Sequence, residues 1–109
     1  MITNLEQLVF ERMDTTPDQI YEFCQRWKIS EMALFGSVLR NDFCSDSDVD
    51  FLVTFSSEST WNLFDHVHMH DELEAMLGRK VDLAEKAGLI NPYRRRAILS
   101  TCQTIYEAV

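Results

Sequence analysis

Residues 34–53 read Leu34-Phe35-Gly36-Ser37-Val38-Leu39-Arg40-Asn41-Asp42-Phe43-Cys44-Ser45-Asp46-Ser47-Asp48-Val49-Asp50-Phe51-Leu52-Val53. An apolar strand, Met32 to Phe35, runs into Gly36-Ser37, and a polar segment then leads to a second apolar strand that carries Asp48 and Asp50. Successive side chains of a strand point to opposite faces, so residues two apart share one. The alternation therefore sends Asp48 and Asp50 out together and turns Val49, Phe51 and Val53 into a core.

Neighbouring carboxylates repel, and keeping both ionised beside an apolar sheet is costly without a positive charge between them. Hard oxygen ligands suit Mg²⁺, which takes one or two protein carboxylates and completes its shell with water and substrate phosphates. Gly36-Ser37 fits the other half of such a site. A helical turn opening at Ser37 would aim free N–H groups at an anion in front of the strand ends, and glycine at 36 permits close approach of the main chain.

These residues resemble the minimal nucleotidyltransferases of the DNA polymerase beta type superfamily, whose signature is Gly-Ser, ten residues, then Asp-x-Asp. Gly36-Ser37, the ten residues Val38 to Ser47 and Asp48-Val49-Asp50 match it without a gap. The Ser47-to-Asp50 run and Arg40, three residues after the serine, also look like the family pattern. Asn41 departs from it, standing where relatives often carry glycine. Asparagine tolerates left-handed backbone better than most residues, which keeps the turn. Phe43 and Cys44 are bulkier or more apolar than the pattern leads one to expect.

The rest of the chain reads as support. One domain, residues 1–109, is expected from the length. Eighteen acids against ten Lys plus Arg give a formal charge of −8. Such a surface repels phosphate backbones, which argues against stable nucleic-acid binding and for a basic protein partner. Cys24, Cys44 and Cys102 are odd in number and widely spaced, the pattern of reduced thiols in a cytoplasmic protein. No signal peptide and no membrane span are expected.

Leu5, Leu8, Val9 and Met13 give a first helical stripe. Thr16-Pro17-Asp18-Gln19 starts a second helix, with Ile20, Phe23, Cys24 and Trp27 on its apolar face. After the second motif strand, Val49 to Phe55, a longer helix is expected from Trp61 to Leu77. Ser59 or Thr60 would cap it, Gly78 would stop it, and Phe64, Val67, Leu73, Met76 and Leu77 would be its buried side. Residues 79–84 form a third strand, with Val81 and Leu83 facing one way and Asp82 the other. Asn91-Pro92 opens a last helix with Ala97, Ile98 and Cys102 inward, and Thr104 to Glu107 adds an edge strand. The expected architecture is α/β, a small mixed sheet of three to four strands with helices on one face, and the polymerase beta-like nucleotidyltransferase fold by resemblance.

The resemblance implies transfer of AMP from ATP to a hydroxyl. Asp48, Asp50 and Asp82 would be the catalytic residues and would ligate two Mg²⁺ ions, and Gly36, Ser37 and Arg40 would hold the triphosphate. Competing readings pair Asp82 with Lys80 and Arg40 with Asp42 or Asp46 in ordinary surface salt bridges. The stand-alone members are often antitoxins that add AMP to a tyrosine of a HEPN-domain ribonuclease toxin, which implies such a toxin as partner. Two alternatives stay open: an antitoxin that acts by binding alone, and a nucleotidyltransferase for a small molecule. The roles of Arg94, Arg95 and Arg96, and of His66, His68 and His70, stay open too. His66 and His70, one turn apart, have the helical spacing of a shared metal site.

Overall fold

The computed structural model describes residues 4–108, with side chains from Gln7 onward. The chain runs α1 (Asn4–Met13), α2 (Pro17–Arg26), β1 (Ile29–Phe35), a 3-10 turn (Gly36–Leu39), β2 (Val49–Phe55), α3 (Leu63–Leu77), β3 (Val81–Glu85), a 3-10 turn (Lys86–Gly88), α4 (Pro92–Thr101) and β4 (Gln103–Glu107).

The strands form one mixed sheet in the order β3-β2-β1-β4. β1 pairs antiparallel with both β2 and β4, while β2 and β3 are parallel. A parallel pair needs a crossover, and α3 provides it. The helix ends follow from sequence. Thr16 and Gln19 close a capping box ahead of Pro17, and Asn91 caps α4 ahead of Pro92. Gly78 ends α3 in the left-handed conformation, φ 69°.

The main core lies on one face of the sheet. Val9 and Met13 of α1, Ile20, Phe23 and Cys24 of α2, and Met69, Leu73 and Leu77 of α3 pack there on Met32, Leu34, Phe51, Val53 and Val81. On the opposite face Ile98 of α4 and Leu89 cover Ala33, Phe35 and Leu52. So the three earlier helices form the expected layer, and α4 adds a partial second one.

Several expected details shift. α3 starts at Leu63 and not Trp61, because Asn62 and Asp65 close their own capping box. Phe64 and Val67 are exposed, at 76% and 49%. At about 100° per residue Phe64 stands half a turn away from Leu73, and Met69 takes the inward position. Leu8 is 42% exposed, and Ala97 is also on the outside. The side chain of Leu5 lies outside the described residues. Trp27 is a packing residue as expected. Its ring meets that of Trp61 edge-on at 5.1 Å, and its backbone carbonyl accepts from the Trp61 indole N–H at 2.6 Å.

Candidate active site

β2 is an inner strand, so Asp50 has a neighbour on each side: Phe35 of β1 and Asp82 of β3 are its register partners. Side chains directly opposite across a ladder share a face. Asp50 and Asp82 therefore stand side by side on the face that also carries α4. Asp48 lies one residue before β2, exposed, on the same side as Asp50 by the two-residue alternation.

The parallel pairing of β2 with β3 is what unites carboxylates 32 positions apart in sequence. Its electrostatic consequence falls on Asp50. Burial raises the pKa of its half-buried carboxyl above the ordinary aspartate value, and the charges of Asp82 and Asp48 raise it further. Arg40 and Arg94 oppose this. A carboxylate in that position is held at a cost that a cation between the three would remove. The donor set, three aspartates and no sulfur or imidazole, is that of a hard divalent ion such as Mg²⁺.

Gly36 completes the floor. Its φ is +78°, a conformation that L side chains adopt at a cost, and a Cβ added there would lie 2.2 Å from Asp50 Oδ2. The close approach expected of this glycine is an approach to the carboxylate itself. Ser37 follows in the 3-10 turn, half-buried, and its hydroxyl donates to the Asp48 carbonyl at 3.3 Å. That bond ties the turn to the start of β2.

Arg40 ends the turn and pairs through Nε with Asp42 Oδ1 at 3.1 Å, the surface salt bridge of the competing reading. It still lies near enough to Asp50 to favour its ionised form. Arg94 acts likewise from the exposed first turn of α4. The sequence alone leaves the role of the Arg94-Arg95-Arg96 run open. Only the packing of α4 onto the carboxylate face distinguishes Arg94, and local pattern carries no signal of that packing.

The histidines do not pair. His66 meets the Phe55 ring edge-on at 5.3 Å. One ligand atom from each of His70, Asp71 and Glu74 lies within 4.8 Å of the others, but hydrogen bonds account for these atoms. His70 Nε2 donates to Val81 O at 2.9 Å, its Nδ1 faces Asp71 Oδ1 at 3.1 Å, and Glu74 Oε2 accepts from Val81 N–H at 2.9 Å. The cluster grips both main-chain polar groups of Val81, the residue before Asp82. The hydrogen bond with Asp71 raises the His70 pKa.

A shallow cavity of about 380 Å³ adjoins Asp48, walled by Ser45, Asp46, Ser47, Arg79 and Lys80. A larger one, about 620 Å³, lies at the α1–α2 turn, and none of the three aspartates lines it.

The family described as nucleotidyltransferase domain matches residues 18–105. Protein adenylyltransferase MntA of Thermococcus cleftensis is 40% identical over 68 residues, which cover 62% of this chain and 67% of that one. A Methanocaldococcus jannaschii chain assigned by name to the protein adenylyltransferases is 34% identical over 73 residues, covering 67% and 73%. Among solved structures, one assigned to the minimal nucleotidyltransferases superposes with a TM-score of 0.67 at 33% identity, covering 93% of this chain and 95% of that one. An MNT antitoxin in complex with a tri-AMPylated HEPN toxin from Shewanella oneidensis gives a TM-score of 0.61 at 17% identity, covering 84% and 70%. At that identity the likeness concerns the fold alone.

Proposed function

This chain belongs to the nucleotidyltransferase domain family, and from that premise we propose that it transfers AMP from ATP to a hydroxyl of a partner protein. The partner would be a HEPN-type toxin in the cytoplasm, tyrosine the accepting side chain, and loss of the toxin's activity the result. The observation that carries the reading is the convergence of Asp48, Asp50 and Asp82 beside Gly36, with Asp50 strained toward its neutral form. The relatives named as protein adenylyltransferases support the class of acceptor.

On this reading Asp48, Asp50 and Asp82 hold two Mg²⁺ ions, whose contribution when bound is to neutralise the triphosphate and the charge that develops at the α-phosphorus. Gly36 and the Ser37 turn receive the β and γ phosphates, and Arg40 leaves Asp42 to meet the outer phosphate with its guanidinium. The acceptor oxygen attacks the α-phosphorus, the bond from that phosphorus to the α–β bridging oxygen breaks, and pyrophosphate leaves. The hydroxyl proton goes to the Asp82 carboxylate, which stands on the edge strand β3 and is exposed. The remaining contribution of the chain is to fix these groups before the reaction starts.

The test is incubation of the chain and a HEPN partner with ATP labelled at the α-phosphate, with Mg²⁺ or with chelator. Label on the partner only with Mg²⁺ supports transfer. Inhibition of the partner with no label on it would instead favour an antitoxin that acts by contact.

A further inference from the structure

The segment between the phosphate turn and Asp48, residues 40–48, has no helix or strand. A nine-residue irregular loop would be a poor ruler for a site that needs Ser37 and Asp48 at fixed separation. Phe43 stands at its middle, half-buried against the main core. Two guanidinium groups lie over its ring, Arg79 with Cζ 4.5 Å from the ring centroid and Arg12 at 5.6 Å.

Each arginine also holds one half of the loop by main-chain carbonyls. Arg12 Nη1, from α1, donates to Val38 O at 2.8 Å and Arg40 O at 2.6 Å, at the end of the turn that Ser37 begins. Arg79 Nη1 donates to Cys44 O at 3.2 Å and Ser47 O at 3.1 Å, directly ahead of Asp48. Arg79 is itself three residues from Asp82. The ring is thus the common contact of two forks, one on the phosphate-turn end of the loop and one on the carboxylate end.

We propose that Phe43 is a positioning residue: by seating Arg12 and Arg79 it sets the spacing between the Gly36–Ser37 turn and Asp48, and through Arg79 the approach of Asp82. An aromatic face is required, because an aliphatic side chain of similar bulk fills the space but offers no negative π surface to two cations. This explains the two features that set the loop apart, a large aromatic at 43 and an arginine just ahead of β3.

The inference rests on the nucleotidyltransferase reading, and its test separates the two. Mn²⁺-dependent binding of a non-hydrolysable ATP analogue is titrated calorimetrically for the wild type, Phe43→Leu, Phe43→Tyr and Arg79→Lys, alongside AMP transfer and thermal melts. Phe43→Leu and Arg79→Lys are expected to weaken analogue binding roughly tenfold, the scale of one or two cation–π contacts. Phe43→Tyr should bind within about twofold of wild type, since its ring has the same face. A wild type that binds the analogue yet labels no acceptor defeats the functional reading and leaves this one standing. Equal binding by Phe43→Leu and wild type, or equal weakening in Phe43→Leu and Phe43→Tyr, would overturn it. Should Phe43→Leu fail to fold, Arg79→Lys decides alone: undiminished analogue binding in that variant would overturn the proposal too.

Discussion

Replacing Gly36 with alanine separates the cost of a backbone conformation from the cost of moving a carboxylate. At φ +78° an L residue is strained whatever the space around it, and the new Cβ would sit 2.2 Å from Asp50 Oδ2, where ordinary contact begins near 3.4 Å. The left-handed conformation costs about 1–2 kcal/mol. For a domain of this size that is a fall in Tm of roughly 5–15 °C. The clash forces Asp50 to retreat by about 1 Å, a displacement that can cost on the order of 100-fold in rate when it separates reacting groups. Gly78 provides the matched control, since its φ is +69° with nothing within 4 Å of an added Cβ. Gly78→Ala should lose comparable stability and keep its transfer rate at a temperature where both variants are folded. The assay is AMP transfer to the partner at that temperature, with melts followed by circular dichroism. Activity in Gly36→Ala within about threefold of wild type would refute the reasoning, as would equal losses in the two variants.

Asp50→Asn should melt higher than wild type in chelator, because it removes a half-buried charge crowded by Asp82 and Asp48, and should lose the Tm gain that Mg²⁺ gives the wild type; a lower Tm in chelator would contradict this. Glu72 accepts from Arg26 and from the Trp27 indole, and the Arg26 hydrogen bond holds its pKa below the ordinary value. Its contribution, about 1 kcal/mol or less at so exposed a pair, is present above the unfolded value and lost as pH falls through the folded one. The Tm difference between wild type and Glu72→Gln should therefore shrink on acidification toward pH ~3, and a difference that grows would sink the assignment. His70 runs the other way. Its pKa is raised first by the Asp71 hydrogen bond, so the stability the charged imidazole gains from Asp71 is complete below the ordinary histidine value and is lost as pH rises through the folded one, while the neutral ring can still donate Nε2–H to Val81 O. His70→Gln should therefore flatten the alkaline side of the wild-type melting profile. An unchanged profile would show that the charged imidazole gains nothing from Asp71.

The first half of the candidate site is legible directly because it is local. Gly36-Ser37 and Asp48-Val49-Asp50 depend on a turn and on strand alternation, both set by neighbours in sequence. Asp82 enters the sequence reading only through the family resemblance, and it is the parallel register of β2 and β3 that sets it beside Asp50. The α3 face was harder to read. Phe64, Val67, Met69, Leu73 and Leu77 put apolar residues around most of the helix, and which stripe turns inward depends on the sheet beneath. Arg94, Arg12 and Arg79 act through tertiary packing: α4 folding back over the carboxylate face, and α1 and the α3–β3 link meeting at Phe43. In the sequence Phe43 stands out only by its size, because the two cations over its ring are distant along the chain.

In the proposed site Asp48, Asp50 and Asp82 share two divalent metal ions, and Gly36 and Ser37 hold a triphosphate against them. Crystals grown with Mn²⁺ and a non-hydrolysable ATP analogue would test it through the anomalous signal of the metal. Peaks bounded by the three carboxylates are expected at roughly 2.0–2.3 Å from their oxygens, the range of small hard cations, with the β and γ phosphates at Ser37. Metal found instead at His70 and Glu74, or an analogue bound away from Ser37 with the three aspartates bare, would contradict it.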